Sequence, residues 1–381
     1  MDDARISAAL HEAGDTRRVL IGTGALNAVD AVIAECFGDQ AAVVVADDTT
    51  WQVAGERVQE HLRAAKRTLM EPVIFPGTPT LYADFRNVVA LETQLRAHNA
   101  IPVVVGSGTL NDITKLAAHR AERQYVCVGT AASMDGYTAF GAAITKDGFK
   151  QTMSCPAPRA LIADLDVLAQ APWAMNATGY GDLLGKITAG ADWILADALG
   201  IEPIDPLAWS LVQDGLREWT GKPAELHAGD RHAIEQLFEG LILTGIAMQT
   251  SASSRPASGS EHRFSHLWEM QALGHGHPAV PHGYKVGVGS IAAAALYEQV
   301  LARDLTQLPI EALCARWPGR EEVERQVLAG HDIPPLAENA VEESLAKYIT
   351  ADQLRVPLGC ADSAAVRTNS SRHLSSPDVF V

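Results

Sequence analysis

Between Arg18 and Ala163, short β-branched apolar runs alternate with stretches of helical period, which restricts this part of the chain to folds built on a mainly parallel sheet. Strands are expected at Arg18 to Ile21, Ala42 to Ala46, Pro72 to Phe75, Pro102 to Val105, Tyr125 to Val128 and Ala160 to Ala163. Helices are expected between them at Ala25 to Cys36, Tyr82 to Ala97 and Leu110 to Glu122. One segment departs from the alternation: Gly141 to Thr145 and Phe149 to Met153 flank the turn Lys146-Asp147-Gly148 and read as a β-hairpin.

After Pro172 the pattern changes to long Ala- and Leu-rich stretches, with helices expected at about 182–199, 206–218, 230–250, 258–272, 283–303 and 309–316. The chain thus divides into an α/β part over residues 1–165 and an all-helical part over 166–359. After about residue 330 no extended helical ending is expected, and residues 360–381 are small and polar, as in a flexible tail.

A length of 381 residues with 47% hydrophobic content suffices for two cores. Five cysteines, odd in number and widely spaced, indicate neither a disulfide framework nor a thiolate metal site, and fit a reducing cytoplasm. No apolar run approaches the roughly 18 residues of a membrane span, and the N-terminus lacks a basic region followed by an apolar one. Neither export nor membrane anchoring is expected. The net charge of −16 repels phosphate backbones and argues against nucleic acid as a partner. A small phosphorylated ligand stays compatible with it, because a pocket can be locally positive on an acidic protein.

Two loops carry the first functional signal. The strand before Gly106-Ser107-Gly108-Thr109 runs straight into a helix containing Asp112, and such a turn brings backbone N–H groups and a positive dipole end close to a phosphate. The next loop, Gly129 to Thr138, holds Thr130, Ser133 and Asp135 at the carboxyl end of its strand, where open α/β sheets bind ligands. Either loop alone could be an ordinary polar turn; side by side they point to a nucleotide. Asp47, at the end of its strand, could accept from an adenosine ribose hydroxyl or cap the next turn of the chain.

The second signal is a set of nitrogen and oxygen ligands. His262 and His266 are four residues apart and share one helix face, His282 opens a helix after Pro281, and Asp182 heads another. Four polar groups in apolar helices are hard to explain as packing, since each would need a partner, although paired histidines also occur on solvated faces. His275 and His277 are rival ligands set among flexible glycines. A donor set without thiolate suits zinc, nickel, iron or cobalt and does not choose among them.

Together, Gly106 to Lys115, Thr130 to Tyr137, Gly181-Asp182-Leu-Leu-Gly-Lys186, Ser253 to His262 and His282-Gly-Tyr-Lys-Val-Gly-Val-Gly289 resemble the sn-glycerol-1-phosphate dehydrogenase family. That family belongs with glycerol dehydrogenases, iron-type alcohol dehydrogenases and dehydroquinate synthases. The resemblance spans residues 18 to 305. It implies a Rossmann-like nucleotide domain, a helical metal domain and a cleft between them.

By matching position, Asp182, His262 and His282 would ligate one divalent metal, zinc first, with nickel or iron as alternatives. His266 would serve substrate or proton relay, and Asp135 would face the substrate hydroxyls. Gly106, Ser107, Gly108, Thr109 and Asp112 would follow the phosphates of NAD or NADP. Thr130 and Ser133 would lie near the nicotinamide, and Asp47 near the adenosine ribose.

The implied reaction is reversible NAD(P)H-dependent reduction of dihydroxyacetone phosphate to sn-glycerol 1-phosphate, with the metal polarising the ketone. Arg255, just before the His262 helix, is the expected partner of the substrate phosphate. A homo-oligomer is also expected. The alternatives are a glycerol or other polyol dehydrogenase, a dehydroquinate-synthase-like carbaphosphate lyase, and a nucleotide-binding protein without activity.

Overall fold

The computed structural model describes residues 3–274, 280–304, 307–331 and 333–359. Its strands are β1 (Arg18–Gly22), β2 (Ala42–Asp47), β3 (Val73–Phe75), β4 (Ile101–Gly106), β5 (Val126–Gly129), β6 (Ala142–Lys146), β7 (Phe149–Met153) and β8 (Ala160–Asp164). Six of them form a parallel sheet in the order β1-β8-β5-β4-β2-β3, and β6 pairs with β7 as an antiparallel hairpin.

The register explains why the central strands are apolar without interruption. Val44, Val103, Val126 and Ala160 lie side by side on one sheet face and join one core, while Val45, Val104, Cys127 and Leu161 lie in the next row and join the other. Both faces are covered, as parallel sheets require. Each fully buried Val or Leu side chain there contributes about 1.5–3 kcal/mol relative to exposure.

At the carboxyl edge, Gly106 stands opposite Gly129 in register, and the N–H of Thr130 donates to the Gly106 carbonyl at 3.1 Å. The two ligand loops inferred from sequence are therefore adjacent at the middle of the sheet. The helices that follow include Trp173–Ala198, Arg231–Ser251, Ser260–Gly274 and His282–Leu301. The first, third and fourth of these pack on one another.

Several expectations are corrected. The Asp182 helix starts at Trp173, so Asp182 lies in its interior rather than at its head. Gly179 and Gly181, which look like turn residues, are instead points of close packing: a Cβ on Gly181 would collide with the Gly283 carbonyl. Helices at Asp3–Glu12 and Glu56–Ala64 were not expected, and the stretch 206–218 divides into Pro206–Gln213 and Leu216–Thr220. Past residue 330 the chain is also helical, over Pro334–Ala346 and Ala351–Gly359, and largely exposed. Charged residues interrupt the apolar stripe there and hide the helical period. His275, His277 and the expected tail at 360–381 lie outside the described residues.

No helix among the described residues is long and apolar enough to cross a membrane. The four cysteines among them, Cys36, Cys127, Cys155 and Cys314, are free thiols.

Candidate active site

The Trp173–Ala198 and His282–Leu301 helices approach closely because glycine faces backbone where they cross. A Cβ on Gly283 would fall on the Thr178 carbonyl, and one on Gly181 would collide with the Gly283 carbonyl; toward the Ser260–Gly274 helix, a Cβ on Gly289 would lie 2.6 Å from the Glu261 carbonyl. The first contact carries His282 to Asp182, and the neighbouring helix supplies His262. One ligating atom from each of Asp182, His262 and His282 lies within 4.8 Å of the others. His262 Nε2 is 3.7 Å from Asp182 Oδ1, and the rings of His262 and His282 are 5.2 Å apart. Two imidazoles and one carboxylate converging in this way are a donor set that fits a divalent cation and leaves coordination positions open.

The groups behind this triad were not singled out from the sequence. Glu261 Oε1 lies 2.7 Å from His262 Nδ1, which turns Nε2 toward Asp182. Glu261 is itself held by the Thr188 hydroxyl at 2.7 Å and the Gly259 N–H at 2.6 Å. The Ser265 hydroxyl lies 3.4 Å from His282 Nδ1. A glutamate immediately before His262 was visible in the chain, but adjacent helical residues do not ordinarily share a face, so spacing offered no reason to pair them.

Lys186, one turn beyond Asp182, is fully buried and bridges two carboxylates, at 2.9 Å from Asp182 Oδ1 and 2.7 Å from Asp135 Oδ2. The Asp135 N–H donates to Asp182 Oδ2 at 3.0 Å, linking the Gly129–Thr138 loop directly to the triad. Burial would raise the Asp182 carboxyl, but Lys186 and the two histidines outweigh it and hold the group below the usual carboxylate range. Burial and the Asp182 charge push Asp135 up. The two carboxylates are thus set apart in proton affinity, as acid and base pairs are in enzymes.

His266 stands beside the triad, its ring 6.3 Å from that of His262 and 6.5 Å from that of His282. Burial, with His262 alongside, pushes it down to about 4, so it is neutral near pH 7. A further cluster borders it. Glu269, one turn beyond His266, accepts from the Tyr82 hydroxyl at 2.7 Å and contacts Lys150 at 2.7 Å and Lys285 at 2.9 Å.

The loops after Gly106 and Gly129 lie side by side at the carboxyl edge of the sheet. Ser107 precedes the Gly108–Arg120 helix without its hydroxyl capping it, so that helix's first-turn N–H groups have neither an intrahelical nor a Ser107 side-chain partner. Thr130 is buried against Gly106, and Ser133 bonds Tyr137. Asp112 turns toward the hairpin, accepting from the Ala143 N–H at 3.3 Å, and burial pushes its carboxyl up to about 6. Asp47 caps the turn after β2, accepting from the Thr50 N–H at 2.7 Å.

Arg255 is not brought to the cluster. Its guanidinium contacts Glu202 at 2.7 Å, and Glu202 lies beyond the end of the Asp182 helix. The helix from Asp182 to Ala198 alone rises about 24 Å. A loop position before the His262 helix did not reveal that its side chain points away along the neighbouring helix.

The iron-containing alcohol dehydrogenase family matches residues 20–172. A glycerol-1-phosphate dehydrogenase (NAD(P)+) of Bacillus licheniformis is 34% identical over 298 residues, covering 78% of this chain and 74% of the relative. One of Methanosarcina mazei is 34% identical over 276 residues, covering 72% and 75%. Among solved structures, a probable glycerol dehydrogenase from Sinorhizobium meliloti superposes with a TM-score of 0.62 at 18% identity, covering 95% of this chain and 99% of that one. The glycerol dehydrogenase of Schizosaccharomyces pombe gives 0.61 at 16% identity, covering 94% and 91%. At these identities the two structures speak to the fold alone.

Proposed function

From a chain that belongs to the glycerol-1-phosphate dehydrogenase family, we propose the activity of that family: reversible NAD(P)H-dependent reduction of dihydroxyacetone phosphate to sn-glycerol 1-phosphate. One observation supports it above the rest. The Asp135 N–H on the second nucleotide loop bonds Asp182 of the candidate metal triad, so a hydride donor and a Lewis acid would share one cleft.

In this reading residues 1–165 hold the dinucleotide and residues 166–359 the metal and substrate. Asp182, His262 and His282 would hold a divalent cation, zinc by preference, which supplies polarisation of a ketone oxygen when bound. Gly106, Ser107, Gly108 and Thr109 would lie along the phosphates of NAD(P), which supplies the hydride. Asp112 would stand with them beside the phosphates, Thr130 and Ser133 toward the nicotinamide, and Asp47 toward the adenosine ribose.

The remaining chemistry falls to the chain's own side chains. Glu261 keeps His262 in the tautomer whose Nε2 lone pair faces the triad. Lys186 keeps Asp135 and Asp182 in place and offsets their mutual repulsion. Asp135 would orient the substrate hydroxyl, and neutral His266 would relay a proton, taking one from solvent as it gives its own to the product oxygen.

The test is consumption of NADH or NADPH with dihydroxyacetone phosphate before and after chelation. Loss of a Lewis acid worth several kcal/mol should lower the rate about a thousandfold or more. Full activity after complete metal removal would overturn the mechanism. A polyol dehydrogenase would prefer unphosphorylated dihydroxyacetone, and a carbaphosphate lyase would show no net loss of NADH.

The four free thiols among the described residues accord with the reducing cytoplasm we propose. On the His282 helix, Tyr284, Val288 and Ile291 share one exposed face, an apolar surface that supports self-association. Light scattering should give a multiple of the 40.6 kDa chain mass, and a monomer at micromolar concentration would contradict it.

A further inference from the structure

Tyr82, Lys150, Glu269 and Lys285 come from four separate stretches of chain and meet beside His266. Lys150 projects from β7 and Tyr82 lies ahead of the Phe85–Leu95 helix, while Glu269 and Lys285 lie on the two helices that carry the triad histidines. Glu269 is seven residues past His262 and Lys285 three past His282, which places them on the same helix faces as the histidines. The cluster is therefore displaced from the triad by one to two helical turns, at about 5.4 Å each.

Its charges do not balance. Two ammonium groups contact one carboxylate, with side-chain exposures of 16% for Lys150, 7% for Lys285 and 3% for Glu269. The next carboxylate to feel Lys150 is Asp112, which is engaged by the Ala143 N–H and lies 3.9 Å from buried Lys115. A buried cation in excess is costly unless an anion joins it. Donors are in excess as well: each ammonium has three. The contacts of Lys150 and Lys285 with Glu269, and of Lys285 with the Val280 carbonyl at 2.6 Å, engage only part of them.

We propose that Lys150 and Lys285, gathered around Glu269, form the subsite for the phosphate of the substrate. The phosphate of dihydroxyacetone phosphate is joined through one CH₂ and one ester oxygen to the ketone, a span that fits the separation of this cluster from the triad. The subsite takes the place that the sequence suggested for Arg255, which is occupied by Glu202. It rests on the dehydrogenase reading above.

The experiment has two arms, both on the metal-loaded protein, with Lys150→Gln, Lys285→Gln and Lys150→Arg. In the first, ³¹P NMR titration with inorganic phosphate reads binding without catalysis. Each Gln variant should weaken phosphate affinity about tenfold to a hundredfold, as expected for loss of a charge-assisted hydrogen bond, and Lys150→Arg should retain most of it. In the second, kcat/KM for dihydroxyacetone phosphate should fall at least about tenfold further than kcat/KM for dihydroxyacetone.

Unchanged phosphate affinity in both Gln variants, or an equal fall for the two ketones, would overturn the proposal and leave the cluster as an ion-pair joint between hairpin and helices. If the wild type ignores dihydroxyacetone phosphate, the functional reading fails, and the phosphate titration still decides the subsite. Thermal unfolding of each variant identifies any loss that stems from misfolding, and Lys150→Arg then carries the comparison.

Discussion

Asp182→Asn should strip the protein of its metal and lower kcat/KM for dihydroxyacetone phosphate by about a thousandfold or more. Asparagine preserves the side-chain shape and the acceptor for the Asp135 N–H, but it removes the negative charge that attracts a cation between the two imidazoles. Folding should survive, because Lys186 keeps Asp135 as a partner at 2.7 Å. Metal content by mass spectrometry of the purified variant, measured beside its steady-state kinetics, is the check. A variant that retains stoichiometric metal, or that loses metal and still turns over normally, would refute the assignment of Asp182.

The second large effect should come from Gly283→Ala, one methyl group outside the triad. The added Cβ would fall on the Thr178 carbonyl, and backbone inside a helix cannot yield as a flexible side chain does. The Asp182 and His282 helices must then part. Overpacking of this kind costs about 3 kcal/mol or more, which corresponds to a fall of about 6–12 °C in the unfolding midpoint. Metal affinity should fall too, since the helix that separates is the one bearing His282. Gly14→Ala, where a Cβ meets nothing within 4 Å, is the control and should leave the midpoint nearly unchanged. Equal midpoints for the two variants would show that the close helix contact does not hold the site together.

Much of the α/β part could be read directly from the chain. The runs at 42–46, 101–106 and 126–129 are buried on both faces, so each is apolar over its whole length and stands out without help from neighbours. The Lys146-Asp147-Gly148 turn likewise announces its hairpin, with Asp147 and Gly148 at positive φ. The helical part was harder. Gly179, Gly181 and Gly283 look like helix breakers locally, and only the opposing backbone shows why glycine is needed there.

The candidate site divides along the same line. Asp182, His262 and His282 declared themselves because a carboxylate and histidines in apolar helices are chemically conspicuous. Lys150, Glu269 and Lys285 did not, because lysines and glutamates are ordinary on solvated surfaces and nothing local marks them as buried. Arg255 misled for the converse reason: its position in the chain is close to the His262 helix, while its side chain is claimed by Glu202.

Residue type and local period thus specify the parallel sheet, its two glycine loops and the chemistry of the triad, since these depend on near neighbours in the chain. The start of the Asp182 helix, the hold of Thr188 on Glu261, the reach of Lys186 to Asp135 and the paired lysines around Glu269 depend on contacts between segments far apart in sequence. Those contacts follow from how closely three helices can approach, which the shape of their packed surfaces decides and no local pattern encodes.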